Sequence, residues 1–419
     1  MTLSGLILLT TAHVIVSIFV INRLHATALP YWLIKIIDLV WYLAVLGGMA
    51  LLVMAVGTAL LPQLPTLTLA RLGLPERLQT LLSTLATSYA TLVGIAGPAI
   101  AISWWVRRRI HCGERLMVDQ TRRSVPLAVT PDGPSAADWS TRLLAAIPGN
   151  RVFDLMIQEK TLVVPNLPPS LAGLTIAHLS DLHFTGRTHI GYYREVVRLA
   201  NEFRADYAVI AGDIIDKPEC FPWLTDVLGQ LQAERGKFFV LGNHDLRVHD
   251  ETRVRRSLES VGFQDLGGRT VFTDVDGSPI LWAGNELPWF SPAADLTQVA
   301  HDSRSARAFR IAVSHSPDQF PWARANRFHL MLAGHTHGGQ IRLPWFGAVF
   351  SPSRFGVLYA SGTFFLPPTL LHVSRGLSGT RPIRIGCPPE LTKLILQPAQ
   401  VLTDSGPEQR ASRSAITAR

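Results

Sequence analysis

The segment Leu330-Met331-Leu332-Ala333-Gly334-His335-Thr336-His337-Gly338-Gly339-Gln340 is an apolar run that stops at two histidines set among glycines. A short apolar run bounded by glycine reads as a buried strand, and the glycine-rich residues after it as a tight loop. The same arrangement recurs upstream. Leu174 to Leu179 leads into Asp181-Leu182-His183, Tyr207 to Ala211 into Gly212-Asp213, Phe238 to Leu241 into Gly242-Asn243-His244-Asp245, and Ile311 to Val313 into Ser314-His315-Ser316. Leu162 to Val164 and Ile280 to Ala283 read as further strands, and Tyr192 to Phe203 and Trp223 to Ala233 as helices between strands. Alternating strands and helices point to an α/β domain, here residues 151–400, and ligands of such sheets gather at the carboxyl ends of the strands. An Asp-x-His or a single histidine means little alone. Five such groups in order, each at the end of a strand, point to one metal-binding centre.

The order and wording of these groups resemble the calcineurin-like metallophosphoesterase superfamily, and within it the membrane-associated bacterial phosphodiesterase branch. The likeness runs over about residues 155–397 and includes Val163-Val164-Pro165-Asn166-Leu167-Pro168, Ser374-Arg375-Gly376 and Pro388-Pro389-Glu390-Leu391. It implies a four-layer αββα sandwich, two mixed sheets flanked by helices, with metals at the strand ends. It also implies two divalent ions, with Asp181, His183 and His337 on one, Asn243, His315 and His335 on the other, and Asp213 on both. Carboxylates with imidazoles and no thiol suit Mn, Fe or Zn in a hydrolytic site rather than a structural zinc knot. Two cations sharing a carboxylate can activate a water between them and offset charge on a phosphoryl group.

Outside the ligand set, His244 is the candidate acid or hydrogen-bond donor to the phosphate ester, with Asp245 beside it to orient it or to serve as a turn carboxylate. Asp216 reads as a capping residue, His178, His329 and His372 as structural residues, and Ser180 and Ser316 as neighbours able to hydrogen-bond ligands. Arg342 and Arg375 could hold a second phosphate or form surface ion pairs. Trp289, Phe290, Trp345, Phe346 and Phe350 fall in loop-like segments and would pack in the core or form a lipid-contacting rim.

The N-terminal region is of another kind. Residues 3–22, 39–61 and 81–106 are three apolar stretches without Asp, Glu, Lys or Arg, each long enough to cross a bilayer. A cleaved leader fits poorly, because the first stretch lacks a basic start and two longer ones come after it. An all-α transmembrane region over residues 1–109, a basic and polar linker over 110–150 with a short helix near Asp138 to Ala146, and a disordered tail over 401–419 complete the expected organisation. Of the net charge of +8, most lies in residues 1–150, with Arg107, Arg108 and Arg109 directly after the third stretch. That cluster suggests a multi-pass protein of a bacterial cytoplasmic membrane with its catalytic domain in the cytoplasm.

No basic stripe with interleaved aromatics supports a nucleic-acid partner. Cys112, Cys220 and Cys387 are too scattered for a disulfide framework. The expected activity is hydrolysis of a phosphodiester or pyrophosphate, with a lipid-linked substrate suggested by three spans where one would anchor. The competing reading is a catalytically silent membrane sensor or scaffold, which would have no need of His244.

Overall fold

The structure is a computed structural model and describes residues 3–27, 29, 31–60, 75–290, 292–344 and 346–399. The expected tail and Trp345 lie outside the described residues. The chain divides into two compact units, residues 1–110 with 354–358, and residues 111–353 with 359–419.

The first unit holds helices α1 (Leu3–Leu24), α2 (Tyr31–Leu60) and α3 (Glu76–Ile110), and these provide three segments long and apolar enough to cross a membrane. They extend past the uncharged stretches and take in Lys35, Asp38, Glu76, Arg77 and the three arginines at the end of α3. Leu8, Leu39, Leu92 and Ile95 point outward, as expected of helices solvated by hydrocarbon rather than water. Small residues bring α1 and α3 together: a Cβ on Gly97 would lie 2.5 Å from that of Ala12.

The second unit is built on two mixed sheets. In chain order its main strands are β1 (Met117–Pro126), β2 (Asp154–Val163), β3 (Thr175–Leu179), β4 (Tyr207–Ala211), β5 (Gly236–Val240), β6 (Phe263–Asp265) and β7 (Thr270–Val275), then β8 (Ser278–Asn285), β9 (Phe309–Ser314), β10 (Leu330–Ala333), β11 (Gly362–Leu366), β12 (Thr369–Val373) and β13 (Glu390–Gln397). The first sheet runs β1-β2-β13-β3-β4-β5-β6 and the second β11-β12-β10-β9-β8-β7. Strands β3 to β6 are mutually parallel, as are β8, β9, β10 and β12, so their carboxyl ends share one edge in each sheet. Every residue of β4 is buried because both faces of its sheet are covered. Val209 enters the core shared with Ile311 and Leu332 of the other sheet, while Ala208 and Ile210 enter the core formed with helix α5 (Ile190–Asn201). Period-two alternation thus feeds two cores from one strand.

The segment read as a polar linker contains β1, which pairs antiparallel with β2, and helix α4 (Trp139–Ala145), capped by Asp138. Strand β1 escapes an apolar-pattern reading because it is a sheet edge with most of its side chains toward water, where arginines discourage further pairing. The helix expected over 223–233 is the shorter α6 (Phe221–Asp226) with a 3-10 turn after it. His178 and His372 belong to a buried polar cluster between the sheets. Lys160 Nζ donates to Glu390 Oε1 at 2.8 Å and lies 3.0 Å from His372 Nε2, and the two histidine Nδ1 atoms are 2.9 Å apart.

Candidate metal centre

The loops after β3, β4, β5, β9 and β10 bring their polar residues to one place. Asp181, His183, Asp213 and His337 offer ligand atoms all within 4.8 Å of one another, as do Asp213, His315 and His335. Asp213 belongs to both groups. Its Oδ2 lies 3.5 Å from His183 Nε2 and 3.3 Å from His315 Nε2. Asn243 Oδ1 is 3.2 Å from His315 Nε2, and His335 Nδ1 is 3.0 Å from the same nitrogen.

Backbone geometry explains the convergence. Asp181, His183, Asp213, His335 and His337 have positive φ, between 49° and 71°, so the chain reverses at the ligand itself. Gly212 is required by space: with φ at +83°, a Cβ there would lie 2.5 Å from His315 Nδ1. The loops are then tied together, with His183 N donating to Asp213 O at 2.9 Å and His335 N to Asp181 Oδ1 at 3.0 Å.

Partners of the imidazoles decide which nitrogen faces the centre. His315 Nδ1 donates to Ala211 O at 2.8 Å, and His183 Nδ1 donates to Asp216 Oδ2 at 2.7 Å, leaving both Nε2 atoms as lone-pair donors. His337 is held differently: the buried Arg384 donates to its carbonyl at 3.0 Å and lies 3.2 Å from its Nδ1. Several ring nitrogens and carboxylates aimed at each other without enough protons to pair them is the donor set a cation fits.

Electrostatics agree. Burial, reinforced by the charge of Asp213, pushes the Asp181 carboxyl up. Burial also opposes ionisation of Asp213, but His315, His244 and His183 hold it well below the carboxylate range. Burial alone would lower His315, yet Asp213 beside it pushes it up to about 9. His335 goes the other way, down to about 3, through burial and then the charge of His315. Without a cation, His315 therefore carries a proton at neutral pH, and loading must release it. Metal affinity is expected to rise as pH increases, levelling off above about 9, with a slope of about tenfold per pH unit for each proton displaced. Calorimetric titration in buffers of different ionisation enthalpy checks this; an affinity flat between about pH 6.5 and 8.5 would contradict the assignment.

One assignment changes and two pairs of alternatives resolve. Asp216 is not a cap: it accepts from His183 Nδ1 through one oxygen and from His244 Nδ1, at 2.5 Å, through the other. Asp245 does not orient His244. Its carboxylate accepts from the backbone N–H groups of Ile214, Ile215 and Gly242, joining two ligand loops. Arg342 and Arg375 are engaged elsewhere, Arg342 with Ser361 Oγ at 2.9 Å and Arg375 with Glu390 Oε2 at 3.2 Å. The guanidinium beside the candidate acid is that of Arg247, whose Nη2 is 3.3 Å from His244 Nε2 and whose Nη1 donates to Asp216 at 2.9 Å. Trp289 lies against His335, with ring centroids 4.8 Å apart.

Residues 174–339 match the calcineurin-like phosphoesterase family. An uncharacterised metallophosphoesterase of Bacillus subtilis (strain 168), YkuE, is 32% identical over 246 residues, which cover 57% of this chain and 84% of that protein. The chain belongs to the calcineurin-like phosphoesterases. It is also 30% identical over 236 residues to the phosphodiesterase YaeI of Escherichia coli (strain K12), covering 54% of this chain and 83% of the relative. Identity to the UDP-2,3-diacylglucosamine pyrophosphatase LpxG of Chlamydia muridarum is 29% over 273 residues, 53% of this chain and 83% of LpxG. As a member of this family, which uses divalent metals, the chain is a phosphoester hydrolase whose clustered carboxylates and imidazoles could bind such ions.

Proposed function

We propose that this calcineurin-like phosphoesterase is a dinuclear-metal enzyme cleaving a phosphodiester or pyrophosphate bond in an amphipathic, lipid-linked substrate. The observation that carries the two-metal reading is Asp213, a buried carboxylate common to both ligand groups. Asp181, His183 and His337 would hold one ion, Asn243, His315 and His335 the other, and Asp213 both. So held, the ions would lower the pKa of a shared water and offset phosphoryl charge. Ala211 O and Asp216 keep His315 and His183 in the tautomers that present Nε2. His244, fixed by Asp216 at the partly open side of the group, would give a hydrogen bond or proton to the departing ester oxygen.

A lipid-linked substrate is supported by the three bilayer-length helices and by similarity to LpxG, a pyrophosphatase of a diacylated nucleotide sugar. The test compares kcat/KM in mixed micelles for such a pyrophosphate and for a water-soluble analogue with the same headgroup, with metal content measured on the same sample. Higher kcat/KM for the lipid with two metals per chain is expected. Equal values would remove the lipid, a single metal the dinuclear centre, and absence of turnover of either would favour the scaffold reading.

A further inference from the structure

The second unit exposes an apolar surface that neither its cores nor its metal centre use. Along α4 and just beyond it, Trp139, Leu143 and Ile147 are 77%, 64% and 40% exposed, at the i, i+4, i+8 spacing of one face. The opposite side of α4 supplies the packing, through buried Thr141 and through Ala145 against the core. After the last ligand loop, Ile341, Leu343 and Phe346 are 42%, 49% and 71% exposed.

These two groups flank one segment. Asn150 and Ile341 each make a β-bridge with Ile385, antiparallel and parallel respectively. Asn150 Nδ2 also donates to Leu144 O at 2.8 Å and to Pro382 O at 2.9 Å, and Arg342 N donates to Ile385 O at 2.9 Å. Arg384, next in chain to Ile385, is the residue that grips His337. The two apolar groups are therefore tied through one backbone frame to the segment that holds His337.

Charge selects the occupant. Residues 139–150, 341–350 and 376–386 contain Arg142, Arg342, Arg381 and Arg384 and not one Asp or Glu. Arg142 and Arg381 are exposed. Exposed Trp, Phe and aliphatic side chains interspersed with arginine match the interface of an anionic bilayer, where apolar tips enter the headgroup boundary and guanidinium groups meet phosphates. The carboxylate that adjoins them, Asp138, is taken up in the N-cap of α4 by Ser140 Oγ and Thr141 N. The same chain carries three membrane-length helices, and only residues 111–116 lie between α3 and the start of β1. Single exposed apolar residues mean nothing; two groups on one frame do.

We infer that this surface is a membrane-docking face, which rests on the bilayer and turns the metal centre's rim toward lipid headgroups. It does so whether or not the substrate is itself a lipid. The experiment uses the full chain in nanodiscs with and without anionic lipid. An environment-sensitive fluorophore is attached to Leu143→Cys or Phe346→Cys in a Cys112→Ser background, Cys220 and Cys387 being buried. Arg304→Cys, on an exposed turn, is the reference position. Turnover of a soluble phosphodiester serves as the folding control for each variant. Expected are a blue shift at 143 and 346, quenching there by nitroxide-labelled lipid, and weaker quenching when Arg142 and Arg381 are both changed to Glu. Water-like emission at 143 and 346 would overturn the inference. So would a blue shift untouched by nitroxide lipid, which would mean that protein, such as a second copy of the chain, covers the face.

Discussion

Asp213→Asn is expected to remove most of the bound metal and to lower turnover by about 10³-fold or more, the range seen when preorganised charge is taken from a hydrolytic centre. The substitution keeps the shape and the acceptor at Oδ1, which receives the N–H of His244 at 2.8 Å. What disappears is the negative charge at Oδ2, close to both His183 and His315. That charge belongs to both ligand groups, so both lose affinity together. Asp213 is also the main influence holding His315 up near 9, so the variant should release fewer protons per metal bound. Elemental analysis after dialysis, with kcat on a soluble diester under metal saturation, reads both effects. Unchanged metal content with unchanged kcat would show that the centre is not organised around this carboxylate.

The candidate ligands are legible because each is a short motif at the end of a strand, and strand ends can be read locally from where an apolar run meets glycine. The strands at 207–211 and 330–333 stand where the apolar runs put them. What escaped depends on direction rather than position. Asp216 lies three residues past Asp213, and its side chain returns to the centre because Asp213 adopts φ of +53°, which no residue pattern announces. Arg384 reaches His337 across 47 residues, through a fold that must exist before the contact does. For Arg342 and Arg375 the sequence leaves a second phosphate or an ion pair open; the fold gives Arg375 its ion pair with Glu390, and Arg342 a carbonyl and a hydroxyl. Strand β1 was hidden by the opposite effect, an exposed edge whose residues answer to water on one side and to a neighbouring backbone on the other.

His244→Ala and Asp216→Asn separate two kinds of contribution that meet at one carboxylate. His244 is partly open and lies outside both groups that contain Asp213. Its ring packs on His183 with centroids 4.5 Å apart, and in the third group, with His183 and Asp216, its Nδ1 is already taken by Asp216, so its removal is expected to leave most of the metal in place. Turnover should fall by about 10² to 10⁴, the usual contribution of a general acid or base. Asp216→Asn acts on both sides, because the carboxylate accepts from Nδ1 of His183, a candidate metal ligand that it orients, and from His244 Nδ1. It should weaken metal binding by about 10- to 100-fold and slow the reaction as well, even at saturating metal. The role of His244 can be resolved further by changing the leaving group. Arg247 Nη2 faces His244 Nε2, and a guanidinium can only donate, so in this arrangement the ring is neutral with its proton on Nδ1. To protonate a departing alkoxide, His244 must first become the imidazolium that Asp216 is placed to stabilise. A nitrophenolate leaves without that proton, so an acid role predicts that the His244→Ala defect shrinks to near unity for a nitrophenyl diester and stays large for an alkyl one. A defect of equal size for both substrates would instead assign His244 to the phosphoryl oxygens, and no defect for either would remove it from the reaction.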